Sequence, residues 1–213
     1  MAERNVPLIT GASTVRGFGY SSIWIYSSLY MHDILHISLL YVGIIFTAGG
    51  FIAAMVNIYG GAISDRVGYK ETMIFSFSIS VVIYAVLSFV PGVSLSALLY
   101  PVAFIMFMIA NAIMSPASNA LISRSSDIQL KGFSILRVGN NIGWGFGPAI
   151  GGFIESFGGY HLLFVFGLIM GIISLGISLF LKNVKYYGKI GTKLNTAYLT
   201  ITNSDTESTN SIY

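Results

Sequence analysis

The chain is predicted to be all-α, an integral membrane bundle of six helices. Three observations lead there. Charged residues make up 9% of the 213, against about 25% in a typical soluble domain. Apolar residues make up 54%, and the mean hydropathy is +0.77, so a soluble fold of this size would leave too much apolar surface in water. The apolar residues also run continuously, whereas barrel strands would alternate over ~10 residues. Helices pair every backbone polar group within one segment, as hydrocarbon requires.

Taken in order, the spans are expected at about 11–31, 38–63, 72–90, 95–116, 133–157 and 160–181. Residues 1–6 are a short polar start, and no small-residue cleavage pattern follows Arg4. The first span begins at Pro7 or Gly11 and ends at Met31. His32, Asp33 and His36 occupy the next gap. No Asp, Glu, Lys or Arg occurs from Thr72 to Ser123. As a single helix that stretch would measure ~78 Å, against ~30 Å of hydrocarbon, so it must cross twice. Pro91-Gly92 marks the bend and Gly158-Gly159 separates the last two spans. Residues 1–182 thus form the bundle. Residues 183–213, rich in Thr, Ser and Asn without an apolar face, are predicted to be a disordered tail.

Charge placement tests the spans independently. Arg4 and Arg16, Arg66 and Lys70, then Arg124, Lys131 and Arg137, and finally Lys182, Lys185, Lys189 and Lys193 fall on one side. These are all the basic residues. The opposite gaps hold Asp33, Glu155 and the three histidines. The positive-inside rule then puts both termini in the cytoplasm of a multi-pass plasma-membrane protein. The net charge of +3 is therefore topological, with lipid headgroups rather than nucleic acid as the anionic partner. Absence of cysteine excludes disulfides and thiolate chemistry.

The gap between spans 2 and 3 reads Gly61-x-x-x-Asp65-Arg66-x-Gly68-x-Lys70. Gly61 is suited to close helix approach, Gly68 to a tight turn, and Asp65 to a cation or a helix N-terminus. In span 5, Gly139, Gly143, Gly147 and Gly151 recur every four residues as a stripe without side chains, with Gly152 adjoining and a kink expected at Pro148.

The first pattern resembles motif A of the major facilitator superfamily, with Tyr69 where members commonly carry a second basic residue. The run Gly143-x-x-x-Gly147-Pro148-x-x-Gly151-Gly152 resembles motif C, seen mainly in its antiporter branches. The resemblance covers about residues 7–182 and implies the first six helices of a twelve-helix transporter. It implies that Asp65 joins a charge relay, and that both motifs pack against helices of the other bundle. That second bundle would come from a homodimer partner or a separate chain. The arginine that many proton-coupled drug exporters carry in span 4 (motif B) is absent, since no basic residue lies between Lys70 and Arg124.

Polar residues inside spans are candidates for the solute or ion pathway. Arg16, Tyr20 and Ser27 are expected on one face of span 1, and Arg137, Asn141 and Glu155 on one face of span 5 with Pro148. Asn57 and Asn111 are further candidates, as are Asn119 and Asn140. Both arginines are placed near the cytoplasmic boundary, where they can snorkel, and Glu155 at the external rim. Trp24, Tyr30, Tyr100 and Tyr160 are read as belt or cavity aromatics. His32, Asp33 and His36 fall short of a metal site. No nucleotide motif, cofactor site or catalytic constellation is found, which leaves no enzyme reading. The chain is expected to be a secondary transporter, or half of one, moving a small solute by alternating access, with motif C favouring drug-like efflux. The alternative is a truncated, non-transporting membrane protein derived from one.

Overall fold

A computed structural model describes residues 5–89, 96–126 and 129–182. The apolar runs fold as helices: α1 (Asn5–Leu29), α2 (Leu39–Val67), α3 (Tyr69–Phe89), α4 (Ser96–Ser125) and α5 (Gln129–Leu179). A short π-helical segment, Tyr30–Ile34, extends α1. Gly159, at φ 67 and ψ −174, divides α5 into arms 129–158 and 160–179. No strand occurs among the described residues. The bend expected at Pro91-Gly92 and the tail 183–213 lie outside them.

Two helix ends differ from expectation. α1 is already helical at Asn5, the first described residue, rather than from Pro7 or Gly11, and Asn5 is clasped from across the chain. Its Nδ2 donates to the Lys182 carbonyl at 2.9 Å, and the Lys182 amide donates to its Oδ1 at 3.0 Å. The same Nδ2 reaches Ser125 Oγ at 3.4 Å. α2 runs on to Val67, so Asp65 and Arg66 belong to its last turn and the chain reverses at Gly68 alone.

Four helices, α2 to α5, are long and apolar enough to cross a membrane. α1 falls outside that set. It carries Arg16 and many Ser, Thr and Gly residues, and it is the most enclosed, packing chiefly against α5. Several of its hydroxyls are spent internally: Thr14 and Ser27 donate to the carbonyls of Thr10 and Ile23 at 2.8 and 2.6 Å. Such back-bonding satisfies hydroxyls where no water is available. α2 packs on α4, and α3 on both α4 and α5. The outer face of α2 is apolar and bare: Leu40 is 71% exposed and Ile58 73%. A face like that requires lipid or another protein in place of water.

The two ends of the bundle differ in chemistry. Asn5, Ser125 and Lys182 meet at one end, and the Gly68 turn lies there too, since Arg124 stacks over Tyr69 at 4.6 Å. Arg66, Lys70, Arg124 and Lys182 thus share one end. At the other end Tyr30 contacts Tyr100 and Tyr160 at ring distances of 4.5 and 5.1 Å, close in sequence to His32, Asp33 and His161. Tyr30 and Tyr100 are fully enclosed and form interior packing rather than a lipid-facing belt.

Candidate solute site

The glycine stripe sets the distance between α1 and α5. These run parallel along the arm 129–158, with Gly139 against Thr10 and Thr14, Gly143 against Gly17, Gly147 against Phe18 and Gly151 against Ser22. A Cβ on Gly143 would stand 2.6 Å from the Thr14 carbonyl oxygen and 2.9 Å from Gly17 Cα. Backbones that close leave carbonyls within reach of hydroxyls. Ser21 Oγ donates to the Gly143 carbonyl at 3.1 Å, and Ser22 Oγ to that of Gly147 at 2.5 Å. The expectation that these glycines face a second bundle is therefore corrected: Gly143, Gly147 and Gly151 are buried against α1 of the same bundle. Gly152 meets the Tyr26 side chain of α1. Pro148 lies inside the helix and does not end it.

The charged turn is rearranged in the same way. Gly68 has φ 113, a left-handed region open to glycine and strained for other residues. Gly61 has no atom within 4 Å of where its Cβ would stand. The close contact expected of it belongs to Gly60, where an added Cβ would stand 3.3 Å from Pro116 Cγ of α4. Tyr69, at the start of α3, donates its hydroxyl to Asp65 Oδ1 at 2.5 Å while its ring carries Arg124. Arg66 is exposed and Lys70 half-buried. The linkage across α2, α3 and α4 thus runs through a phenol. Sequence spacing marked Tyr69 only as a departure and did not single out Arg124.

Polar groups gather along two clefts. One, of about 900 Å³, lies between α4 and α5, with Asn119, Arg137, Asn140, Asn141 and Trp144 on its walls. The other, of about 590 Å³, has Tyr20, Asn57, Met108, Asn111 and Ser115 on its walls. Tyr20 and Trp144 touch at a ring distance of 5.5 Å, so the two clefts meet across one aromatic pair. Phe107 stacks on Tyr20 at 4.5 Å and holds it from behind. Asn57 donates to the Ala112 carbonyl at 3.3 Å, tying α2 to α4. Asn111 Oδ1 and Asn140 Oδ1 are buried without a hydrogen-bond partner.

Arg16 is not at the boundary. Its neighbour Gly17 sits against Gly143, halfway along the arm 129–158. Because α1 begins at Asn5, Arg16 lies ~16 Å into the helix. The side chain is 8% exposed, which leaves no route for snorkelling. Its guanidinium carbon stands 5.5 Å from the Tyr20 ring centre, and Nε and Nη1 have no hydrogen-bond partner.

Ser27 does not join the Arg16–Tyr20 pair. Its hydroxyl bonds the Tyr100 hydroxyl at 2.8 Å, deep in the other end. Glu155 also stands apart: eighteen residues from Arg137 is ~27 Å of helix, and it lines neither cleft. His32 Nδ1 is 3.1 Å from the Ile37 carbonyl oxygen. Trp144 and Phe107 went unnoticed in the sequence, although Trp144 sits among the glycines already marked.

The family model for the Major Facilitator Superfamily matches residues 9–197. The chain belongs to this superfamily. A solved structure reported for substrate recognition in proton dependent oligopeptide transporters has the same fold, with a TM-score of 0.75 at 18% identity. The superposition covers 96% of this chain and 48% of that one, so the chain spans about half its length. Among curated proteins none matches the sequence. The chain is thus a helical membrane protein of the Major Facilitator superfamily. Its α1–α5 glycine seam and its Asp65–Tyr69 linkage occupy the segments whose motifs resemble that superfamily's.

Proposed function

We propose that this Major Facilitator bundle is one half of a secondary active transporter that moves a small solute by alternating access. The observation that carries the reading is a pair of clefts with amide and guanidinium groups on their walls, the larger open on an outer face of an otherwise apolar bundle, which meet at Tyr20 and Trp144. Arg16, Tyr20, Asn57, Asn111, Arg137 and Asn141 serve the solute path. Ser27 and Glu155 are left out of it on their positions. Arg137 and Trp144 face outward from a single bundle, so a second wall is needed to enclose a solute. A second copy, or a separate chain, supplies it. The 48% coverage of a transporter structure supports the same division.

Efflux of drug-like or amphipathic compounds by antiport is the direction favoured by the motif C resemblance. Both termini are assigned to the cytoplasmic side of the plasma membrane, an assignment supported by the basic residues gathered at one end of the bundle. Residues 1–182 form the bundle, with six crossings if both arms of α5 and α1 each span. The test is flux in proteoliposomes with the purified chain, alone and with a candidate second half, with and without a pH gradient. Solute movement that depends on the chain supports the reading; its absence under every condition removes it.

A further inference from the structure

Resting on that transport reading, we infer that the solute is an organic anion, a carboxylate with an apolar body, held by Arg137 and drawn in by the buried charge of Arg16. The clefts carry cationic and amide groups and, among the described residues, no acidic one. Arg137 opens directly onto the larger cleft beside Asn119, Asn140 and Asn141.

Arg16 supplies the second argument. A cation halfway along an apolar bundle costs ~2.5–3.5 kcal/mol even on insertion scales, and removal from water without a counter-charge is unfavourable for any ion. Its described surroundings are aromatic: the Tyr20 ring at 5.5 Å, with the Tyr84 side chain also within electrostatic range. Two of its nitrogens remain unbonded. Tyr20 lines the smaller cleft, and its ring meets that of Trp144, on the wall of the larger one, at 5.5 Å. An anion on Arg137 would bring negative charge to the far side of the Tyr20–Trp144 pair from Arg16, where low polarizability leaves the attraction poorly screened.

The walls limit what the anion can be. Phe133, Leu130 and Trp144 line one cleft, and Met108 and Ala112 the other. One contacting guanidinium with amide neighbours suits a monoanion attached to an apolar or planar body. A small multivalent oxyanion would need more donors than Arg137 and the amides offer.

The experiment uses the full chain in detergent and the emission of its two tryptophans. Trp24 and Trp144 lie at a ring distance of 6.1 Å beside the cleft. Matched acids and amides are titrated: benzoate with benzamide, phenylacetate with phenylacetamide, hexanoate with hexanamide. The acids are expected to bind ~10-fold or more tightly than their amides, the scale of one charge-assisted hydrogen bond. Arg137→Gln should erase that preference, and Arg137→Lys should keep part of it. Arg137 is exposed on the cleft wall, and unchanged thermal unfolding of the variants confirms that they are folded. Acids and amides binding alike, no acid binding, an unaltered preference in Arg137→Gln, or tighter binding of inorganic phosphate each overturns the inference. Flux of a neutral solute without acid preference would leave transport standing and remove this assignment. Acid binding without flux would do the reverse.

Discussion

The Tyr69 hydroxyl donates to the Asp65 carboxylate at 2.5 Å, one helical turn apart across the Gly68 reversal. The same ring holds the Arg124 guanidinium at 4.6 Å. One side chain therefore ties the end of α2, the start of α3 and the end of α4. Tyr69→Phe keeps the ring and loses the hydrogen bond, with an expected cost of ~1 kcal/mol. Tyr69→Ala removes both contacts and a buried ring, and should cost ~3 kcal/mol or more. Thermal unfolding in detergent should rank wild type, Phe and Ala in that order; equal stability of Phe and Ala would count against the cation–ring contact.

The α1–α5 seam separates glycines that must stay glycine from one that need not. At Gly143 a methyl group would meet the Thr14 and Gly17 backbones, which have no side chain to move aside. Gly143→Ala should lower stability by ~1–3 kcal/mol, the usual cost of overpacking. Gly145, two residues away, has nothing within 4 Å, and Gly145→Ala should be neutral or slightly stabilising in a helix. A stability screen of the two variants side by side decides the point.

Arg16→Leu should stabilise the chain and impair it. The substitution removes an unpaired buried cation, and replacing a buried charge with an apolar side chain is often stabilising. Unfolding temperature should rise while acid binding weakens. A variant both less stable and still binding normally would mean that Arg16 is structural.

The Ser27–Tyr100 bond at 2.8 Å joins α1 to α4 in the interior. A double-mutant cycle with Ser27→Ala and Tyr100→Phe should give a coupling of ~0.6 kcal/mol, rising to no more than ~1.7, the range found between membrane helices. A coupling indistinguishable from zero would show that the hydroxyls do not bond.

Orientation is open to labelling without background, because the chain has no cysteine. Asp33→Cys and Lys70→Cys lie at opposite ends of the bundle. A membrane-impermeant thiol reagent added outside intact cells should modify the first and spare the second. The reverse pattern would invert the proposed topology.

Membrane class and helical character were legible because hydropathy is summed along the chain and needs no partner. The Gly68 turn was legible for a related reason: a reversal within one residue calls for a local backbone conformation. Depth and partnership were not. Arg16 looked like a boundary residue because the sequence does not show that the chain before it, from Asn5 on, is helical and tied to Lys182, 177 positions away. Gly61 and Gly60 differ by 100° around a helix, and only the position of Pro116 shows which one is pressed. Arg124 gave no signal in sequence because its contact, Tyr69, belongs to another helix. Ser27 was grouped with Arg16 by helical phase, which ignores the ~16 Å of rise between them.

The partnership of α1 with α5 has a consequence for synthesis. The ribosome delivers α1 first and its main companion last. Ser21, Ser22 and Arg16 must therefore wait in the insertion machinery, or beside provisional neighbours, until the glycine-striped arm emerges. Long separation between partners slows assembly and prolongs exposure. Nascent chains halted before residue 139 should hold α1 loosely and be open to proteolysis there, and those extended past residue 151 should protect it.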